Sequence, residues 1–419
     1  MTTPRSTNPA SSTPGANNSS RQRPIIITGG GTAGHTNPGI AVAQALVAGG
    51  LARNRVHFIG GARGNEATLV GDAGFTIDLL PGRGIQRKLS LQNIGSIAGL
   101  LAGFVKGFAI VAKRRPAAVL CLGGYAAFAA SAAAVLLRVP LVITEQNARA
   151  SAVNRLFGRF AKVCALPFPD TDLPKPVLTG NPIRADILSA VEAADRATAR
   201  AGIAERASAD GATHNFGDRV LVAVWAGSLG ATKINQSVRD LASLWADRAD
   251  IVLYHVIGRR DWPEFGPASD AAQIEGDRTG SAADESQDGL LYLRVEYENN
   301  MSDLLVGADL AVCRAGASTV TELAVAGLPA ILVPLPTAPR DHQRANTAEV
   351  AAAGGAIVLN NEDLSGTKLA ELLEPLVIDD ERRAAMSAAT ASVARPNAAA
   401  DVAGLLLDAG GMTTEQAAQ

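Results

Sequence analysis

Short apolar runs alternate with stretches of helical periodicity along the first half of the chain. The run at residues 24–28 ends in glycines and is followed by apolar residues at helical spacing from Ile40 to Val47. Strand-like runs recur at residues 56–59, 117–122, 141–144 and 163–166. Strands that alternate with helices predict a parallel sheet with helices on both faces.

The same alternation starts again after residue 219. Strands are predicted at residues 220–226, 251–257, 290–294, 310–313 and 330–333. Before them, two prolines bracket a Gly-Asn turn in residues 175–184, and turn-forming residues fill 209–218. We therefore predict an α/β fold of two doubly wound, Rossmann-like domains of similar size, with a hinge within residues 180–219.

The two ends and one internal segment lie outside this pattern. Residues 1–22 are rich in Ser, Thr, Asn and Pro and lack the apolar stretch of a signal peptide, so we expect a disordered tail. Residues 261–288 carry eight acidic side chains against Arg278 alone, which predicts a mobile surface insertion. The predicted domains are residues 23–182 and 183–380, followed by an Ala-rich segment, 381–419, that is helical from Glu381 to Leu407.

An uncharged stretch at residues 116–137 is long enough to span a membrane. It is rich in Ala, however, and Gly123 and Gly124 interrupt it. A buried strand, a glycine turn and a buried helix are therefore favoured over a membrane span, and we expect the protein in the cytoplasm.

Composition and charge narrow the class of protein. Hydrophobic residues make up 47% of the chain and charged residues 19%, as in a soluble globular protein. The net charge of -2 argues against a dedicated nucleic-acid binder, which needs a basic surface. Each of the three cysteines lies in an apolar run, so we expect buried thiols without disulfides: Cys121, Cys164 and Cys313.

The first glycine turn, Gly29 to Gly34, opens a helix and is followed by His35. Free backbone amides at a helix N-terminus bind anions or polar sugar groups. The turn also satisfies G-x-G-x-x-G, but the second strand ends without the carboxylate that would hold a dinucleotide ribose, so NAD binding is disfavoured. His35 is a candidate general base or a histidine with a local hydrogen bond.

Two further turns follow strands of the same domain. Gly123-Gly124-Tyr125 follows the strand that contains Cys121, and Glu145-Gln146-Asn147 follows the next strand. Ligands of open α/β sheets bind beyond the carboxyl ends of strands, so the three turns predict one crevice. Their polar residues could equally cap helices.

The second domain repeats this arrangement twice. The turn from Trp225 to Gly230 could hold a phosphate on Ser228 and nearby amides. The segment from Cys313 to Glu322 places small hydroxyl residues at the start of a helix and a carboxylate about one turn later, which suits a diphosphate and a ribose. The alternative is a capping box between Ser318 or Thr319 and Glu322.

Seven sequence motifs, listed below in chain order, resemble those of the MurG-type GlcNAc transferases of peptidoglycan synthesis. These transferases are membrane-associated enzymes of the GT-B fold. The resemblance covers roughly residues 24–400. The motifs are Gly29–Ala43, Gly123–Ala127, Thr144–Ser151, Gly180–Arg184, Ala226–Asn235, Cys313–Pro336 and Asp341–Asn346.

The resemblance implies roles for individual residues. The acceptor side of the cleft would contain Thr32, Ala33, Gly34 and Asn147. The donor side would contain Arg184 and Ser228 at the diphosphate, Ala317, Ser318, Thr319, Val320 and Thr321 around the phosphate and uridine, Glu322 on the ribose and Gln343 on the GlcNAc hydroxyls. His35 is a candidate catalytic base, and Glu145 competes with it.

This chain departs from the family at three points. Glu298 stands where an apolar residue commonly lies near uracil, so base recognition is expected to use backbone atoms. Ala315 replaces the Ser that usually follows Arg314, which removes one hydroxyl. The acidic insertion is longer than usual.

The implied reaction is transfer of GlcNAc from UDP-GlcNAc to the C4 hydroxyl of MurNAc in undecaprenyl-pyrophosphoryl-MurNAc-pentapeptide (lipid I), with inversion at C1, to give lipid II. Arg184, Ser228 and the helix N-terminus after Gly316 would stabilise the leaving diphosphate, so no metal ion or other cofactor is expected. Closure about the hinge would complete the site.

The lipid acceptor implies a peripheral protein at the cytoplasmic face of the cell membrane. Arg83, Arg87 and Lys88 precede an apolar stretch in residues 94–104 that suits an anionic membrane surface, although this stretch could also be core. Cell-wall synthesis and division proteins are further expected partners, and nucleic acid is not.

Three alternative functions follow from the same residues. A GT-B enzyme with the same donor could be a UDP-GlcNAc 2-epimerase or a different sugar transferase. An NAD oxidoreductase is weaker because the ribose carboxylate is missing. A non-catalytic scaffold that binds a UDP-sugar would have no turnover to lose.

Overall fold

The computed structural model describes residues 23–30, 33–62, 64–81, 92–207, 214–227, 230–266 and 289–412. The predicted tail at residues 1–22 lies outside the described residues, as does most of the predicted insertion, at 267–288. The basic residues Arg83, Arg87 and Lys88 also lie outside them.

The first half of the chain forms a parallel sheet. In the described residues its strand order is β3-β2-β1-β4-β5-β6-β7, with every neighbouring pair parallel. The strands are β1 (Ile25–Thr28), β2 (Val56–Gly61), β3 (Thr76–Leu80), β4 (Ala118–Cys121), β5 (Leu141–Thr144), β6 (Val163–Leu166) and β7 (Pro176–Leu178). The helices between them are α1 (Ala33–Ala48), α2 (Glu66–Asp72), α3 (Gln92–Arg114), α4 (Tyr125–Leu136) and α5 (Ala152–Gly158), with a 3₁₀ turn at Arg53–Arg55.

The second half forms another parallel sheet, with the order β10-β9-β8-β11-β12-β13 in the described residues. The strands are β8 (Val220–Trp225), β9 (Ile251–Val256), β10 (Leu291–Val295), β11 (Leu310–Cys313), β12 (Ala330–Leu332) and β13 (Ala356–Val358). The helices are α6 (Ala185–Ala193), α7 (Arg196–Ala207), α8 (Thr232–Leu244), α9 (Trp262–Phe265), α10 (Met301–Gly307), α11 (Ala317–Ala326), α12 (His342–Asn346), α13 (Ala348–Ala352), α14 (Gly366–Val377), α15 (Asp380–Ala391) and α16 (Ala398–Ala409), with a 3₁₀ turn at Pro339–Asp341.

Helices cover both faces of each sheet, as the continuous apolar strands predict. In β1, Ile25 and Ile27 pack with residues of α1, whereas Ile26 packs on the opposite face with residues of α4. All three are fully buried. The predicted fold of two Rossmann-like domains is confirmed.

The uncharged stretch at residues 116–137 forms β4, a glycine turn and α4, as predicted, and its strand is buried. Among the described residues, no helix is long and apolar enough to cross a membrane. Cys121, Cys164 and Cys313 are buried and unpaired.

Three strands were not predicted from the sequence, and all three lie at sheet edges: β3, β7 and β13. An edge strand has neighbours on one side only and need not be a buried apolar run. The residues of β7 are all exposed, and Pro176 begins the strand.

The C-terminal segment predicted to be helical from Glu381 to Leu407 forms two helices. Helices α15 and α16 are separated by residues 392–397. The last helix returns to the first sheet, where Val402 and Leu406 are buried in the same core as Ile25 and Ile27. The chain therefore crosses between the two sheets twice.

The two crossings touch each other at Gly180. Gly180 has a φ of 89°, and a Cβ on it would lie 2.6 Å from Cβ of Arg395. Helices α6 and α7 lie within the predicted hinge, but Ile187 and Ile203 are buried in the core of the second sheet. The link between the sheets is therefore shorter than the predicted segment 180–219.

Candidate active site

The carboxyl ends of the two sheets meet through the loops that follow β5 and β11. Asn346 at the end of α12 is fully buried, and its Oδ1 accepts a hydrogen bond from the Ala148 amide at 2.8 Å. Its Nδ2 donates to the Ala315 carbonyl at 3.1 Å and to Oδ1 of Asn147 at 3.3 Å. One side chain therefore joins a predicted acceptor-side loop to the start of the predicted donor pocket.

The first two glycine turns of the first domain pack directly on each other. Gly124 has a φ of 83°, and a Cβ on it would lie 2.2 Å from the Gly30 carbonyl oxygen. A Cβ on Gly30 would in turn lie 2.9 Å from Oε1 of Glu66. Only glycine fits at position 124, where the backbones of the two turns make contact.

The predicted acceptor-side residues at this turn are only partly described. Gly34 is exposed in the first turn of α1. Thr32 and the side chain of Ala33 lie outside the described residues.

His35 is half-buried in the first turn of α1 and lines a small cavity together with Glu66. Burial lowers the pKa of His35, while the charges of Glu145 and Glu66 act in the opposite direction. An imidazole with a lowered pKa is neutral at pH 7, which is the form that can accept a proton.

Glu145 is fully buried, and its carboxylate is bonded within its own loop. Oε1 accepts from the amides of Gln146 and Asn147 at 3.0 and 3.1 Å. Oε2 accepts from the Ser151 amide and from Nδ2 of Asn154, both at 2.8 Å. This bonding favours a positioning role for Glu145 over the catalytic role considered from the sequence.

The donor side is built on α11, which begins at Ala317 after the N-cap Gly316. Ala317 and Val320 are buried, and the three hydroxyl residues are half-buried: Ser318, Thr319 and Thr321. No side chain caps this helix, so the alternative of a capping box with Glu322 is wrong. The first amides of α11 remain available to an anion.

Glu322 and Arg184 come together at the start of α6. Burial raises the pKa of Glu322 to about 7, the charge of Arg184 opposes the shift, and the charge of Asp186 adds to it. Arg184 Nη2 lies 3.5 Å from Asp186 Oδ2. A cation and a carboxyl group therefore flank the first turns of α11, where a diphosphate and a ribose could lie.

A buried polar network packs against the turn that follows β8. A Cβ on Gly230, which has a φ of 82°, would lie 2.3 Å from the Ile257 carbonyl oxygen. Nδ2 of the fully buried Asn235 donates to that carbonyl at 3.1 Å and to Asp261 Oδ2 at 3.0 Å. Ser228 itself lies outside the described residues.

Glu298 directs its carboxylate into the second domain. The group accepts hydrogen bonds from the Tyr254 hydroxyl and the Asn300 amide, both at 2.7 Å, and lies 3.1 Å from Arg206 Nε. Its oxygens are therefore engaged with protein groups. Recognition of uracil by backbone atoms of this loop stays a prediction.

Gln343 lies half-buried on α12, and its Oε1 accepts from the Leu335 amide at 2.9 Å. The side chain is thereby held against the loop that follows β12. Its amide group is one helical turn from Asn346, the residue that contacts the first domain.

Asp170 and Asp172 are two carboxylates separated by one residue, a spacing that makes them a candidate metal site. Asp172 Oδ2 lies 3.0 Å from Arg340 Nη2, and its Oδ1 accepts from the Ala150 amide at 3.2 Å. Among the described residues, no three His, Cys, Asp or Glu side chains lie close enough together to hold a metal ion.

Sequence reasoning assigned no role to Glu66, Asn346 or Arg340. Asn346 belongs to the motif Asp341–Asn346, but only the fold shows that it contacts a loop almost 200 residues earlier. Glu66 follows a strand of the predicted sheet, and its position at a carboxyl end was the signal that could have identified it.

Family models match both halves of the chain. The glycosyltransferase family 28 N-terminal domain matches residues 25–166, and the C-terminal domain matches residues 221–402. The two matches lie in the expected order on the two sheets.

Similar proteins extend over nearly the whole chain. A UDP-N-acetylglucosamine--N-acetylmuramyl-(pentapeptide) pyrophosphoryl-undecaprenol N-acetylglucosamine transferase of Nitratidesulfovibrio vulgaris (strain DSM 19637 / Miyazaki F) is 37% identical, with 91% of this chain and 95% of that protein covered. A protein of the same name from Myxococcus xanthus is 32% identical over 92% of each chain.

Solved structures agree on the fold. The crystal structure of Acinetobacter baumannii MurG superposes with a TM-score of 0.68 and 26% identity, with 92% of this chain and 99% of that chain covered. A UDP-GlcNAc 2-epimerase from Neisseria meningitidis, solved with UDP-GlcNAc, has a TM-score of 0.62 at 16% identity, with 92% and 100% covered. The second likeness shows the fold alone.

Proposed function

Because the chain belongs to glycosyltransferase family 28, we propose that it transfers GlcNAc from UDP-GlcNAc to lipid I, which forms lipid II in peptidoglycan synthesis. The observation that carries this function is the similarity, at 30–37% identity over about nine-tenths of the chain, to proteins named as this transferase. The loops that carry the proposed acceptor and donor residues meet through Asn346, which supports this proposal.

The proposed base is His35. Its neutral imidazole takes the proton of the MurNAc C4 hydroxyl as the hydroxyl oxygen attacks C1 of GlcNAc. The bond from C1 to the diphosphate oxygen breaks, its electron pair leaves with UDP, and the configuration at C1 inverts. The imidazolium that forms is stabilised by Glu145 and Glu66, whose charges already act on His35. Positioned proton transfer contributes about 10²–10⁴-fold to such a rate.

The proposed donor pocket surrounds the start of α11. Arg184, Ser228 and the free amides after Gly316 stabilise the negative charge that builds on the leaving diphosphate. Glu322 accepts hydrogen bonds from the ribose hydroxyls, and Gln343 holds the GlcNAc hydroxyls. The phosphate and uridine pocket is lined by Ala317, Ser318, Thr319, Val320 and Thr321. The backbone beside Glu298 contacts the uracil ring.

The proposed acceptor side is the crevice of the first domain, with Thr32, Ala33 and Gly34 at the start of α1 and Asn147 after β5. With domain boundaries near residues 182 and 380, the acceptor residues lie on the first domain and the donor residues on the second. Helix α16 follows the second domain in the chain but packs on the first sheet.

We further propose that the first domain rests on the anionic cytoplasmic surface of the cell membrane. Leu101 and Val105 of α3 are 65% and 62% exposed, and Phe128 of α4 is 41% exposed. Beside them, an apolar groove of about 530 Å³ lies between α3, α4 and α5. Exposed apolar side chains next to cations such as Lys106 suit an anionic lipid surface. Cell-wall synthesis and division proteins are proposed partners at the same location.

The transfer function is tested by incubating the protein with UDP-GlcNAc, with and without a short-chain lipid I analogue, and separating the products. We expect a lipid-linked disaccharide only when the analogue is present. UDP-ManNAc formed without acceptor would indicate a UDP-GlcNAc 2-epimerase. The Neisseria epimerase shares the fold of this chain at 16% identity. UDP-GlcNAc binding without either product would indicate a scaffold. A parallel incubation with EDTA tests whether the leaving group is stabilised without a metal ion.

A further inference from the structure

The second domain makes hydrogen bonds to the loop after β5 at two places. Asn346 holds Ala148, as described above. Two residues further on, Arg340 Nη1 donates to the Ala150 carbonyl at 2.9 Å. Arg340 also pairs with Asp172 of the first domain at 3.0 Å.

Asp172 fixes the same position from the first-domain side. Its Oδ1 accepts from the Ala150 amide at 3.2 Å while its Oδ2 faces Arg340. Burial raises the pKa of Asp172, but bonding to Arg340 and the Ala150 amide outweighs this, and the pKa lies below its usual value. Both backbone groups of Ala150 are therefore bonded to one ion pair that spans the two domains.

The backbone at Arg340 adopts a conformation that non-glycine residues rarely adopt. Arg340 has a φ of 57° and Asp341 a φ of 51°, so two consecutive residues are left-handed. Such a conformation persists only where surrounding contacts enforce it, and it is an observation from which a functional hypothesis can start. Here the turn directs the guanidinium across the domain boundary.

We propose that Arg340 is a positioning residue for the transfer reaction, which clamps the acceptor-side loop at Ala150 onto the turn that precedes the donor-side residue Gln343. The clamp sets the distance between Asn147 on one domain and the donor sugar on the other. Arg340 acts through these residues and does not itself touch the reacting atoms. This inference rests on the proposed function, because its consequence is measured on acceptor turnover.

The clamp affects the position of one domain relative to the other and not the donor site itself. The donor residues Arg184, Glu322 and Gln343 all belong to the second domain, so UDP-GlcNAc binding does not need the clamp. Transfer does need it, since reacting groups displaced by about 1 Å lose on the order of 100-fold in rate. Loss of the clamp should therefore separate acceptor turnover from donor affinity.

The test uses Arg340→Met in the full-length chain, which keeps the apolar stem of the side chain and the same backbone requirement. We expect kcat/KM for the lipid I analogue to fall about 10-fold to 100-fold, while the Kd for UDP-GlcNAc, measured by calorimetry, stays within about twofold. Asp172→Asn should cause a smaller loss in the same direction, and the double variant should lose less than the product of the single losses.

Arg344→Met is the matched control. Arg344 lies four residues away on the same segment, but its partners Asp341 and Asn360 both belong to the second domain. We expect this variant to keep wild-type acceptor kinetics. A second readout that does not depend on activity is X-ray scattering, where Arg340→Met should show a larger radius of gyration than Arg344→Met.

Each outcome decides between the two proposals. A wild-type protein without transfer would refute the proposed function, and with it the catalytic consequence of the clamp. An active wild type with Arg340→Met at full kcat/KM would refute the clamp alone. Equal losses in Arg340→Met and Arg344→Met, or a parallel loss of donor affinity, would also refute it, because a merely structural effect would then suffice.

Discussion

Glu145→Gln separates a carboxylate that positions a loop from one that acts as a base. The carboxylate is fully buried and accepts four hydrogen bonds, two on each oxygen. The amide of Gln has nearly the same shape, but its nitrogen can only donate. In the variant, two of the four donors of the loop therefore lose their acceptor and face another N–H group.

The expected cost follows from these two groups. A buried donor left without a partner costs about 1–3 kcal/mol, so the free energy of unfolding of Glu145→Gln should fall by about 2–6 kcal/mol. We expect kcat to fall as well, because Asn147 and Ser151 depend on the same carboxylate. Both effects arise from one loop.

His35→Ala is the comparison. His35 is only half-buried, so we expect a small change in the free energy of unfolding and a loss of about 10²–10⁴-fold in kcat. The assays are urea denaturation and initial rates with a lipid I analogue across pH. A Glu145→Gln protein of unchanged stability that loses kcat together with the acidic limb of the pH profile would refute this reasoning and make Glu145 the base.

Three further perturbations test other parts of the account. In the wild type, the unfolded chain loses the Glu322 proton near pH 4.5 whereas the folded chain keeps it until about pH 7. The free energy of unfolding of the wild type should therefore fall across this interval by up to about 3 kcal/mol relative to Glu322→Gln. Urea titrations at several pH values measure it, and the same pH dependence in both proteins would contradict a raised pKa of Glu322. Leu101→Asp with Val105→Asp should release the protein from anionic vesicles in a flotation assay without changing its circular dichroism; retained binding would disprove the membrane face. Gly180→Ala should lower the free energy of unfolding by at least about 1–2 kcal/mol because of its left-handed φ and its contact with the second crossing. Gly217→Ala, left-handed but with open space around it, is the matched control, and equal losses in the two variants would show that the crossings do not pack tightly.

The elements that the sequence predicts best are those that are buried on both faces. The central strands β1, β4, β8 and β11 are continuous apolar runs that end in glycine turns, and these two signals fix their positions within a residue or two. Of the strands that were not predicted, β3 is interrupted by Asp78, β7 begins with Pro176, and β13 is an apolar run of only three residues. All three lie at sheet edges, as does the predicted strand β10.

The candidate site was predictable where it depends on turns, and unpredictable where it depends on contacts between domains. Glycine at 30 and 124 signals a close backbone approach, which the fold confirms. Asn346 and Arg340, by contrast, meet residues almost 200 positions earlier, and no local pattern indicates such partners. The bonding of Glu145 to its own loop also depends on a backbone curvature that residue types alone do not specify.

The most direct test of the central claim follows labelled GlcNAc from UDP-GlcNAc in three incubations: with a short-chain lipid I analogue, with the same analogue lacking the MurNAc C4 hydroxyl, and without acceptor. The account predicts label in the lipid fraction in the first incubation only, with a β linkage at C1 because the configuration inverts. Label transferred to the 4-deoxy analogue, an α linkage, or conversion of UDP-GlcNAc to its 2-epimer without acceptor would contradict it.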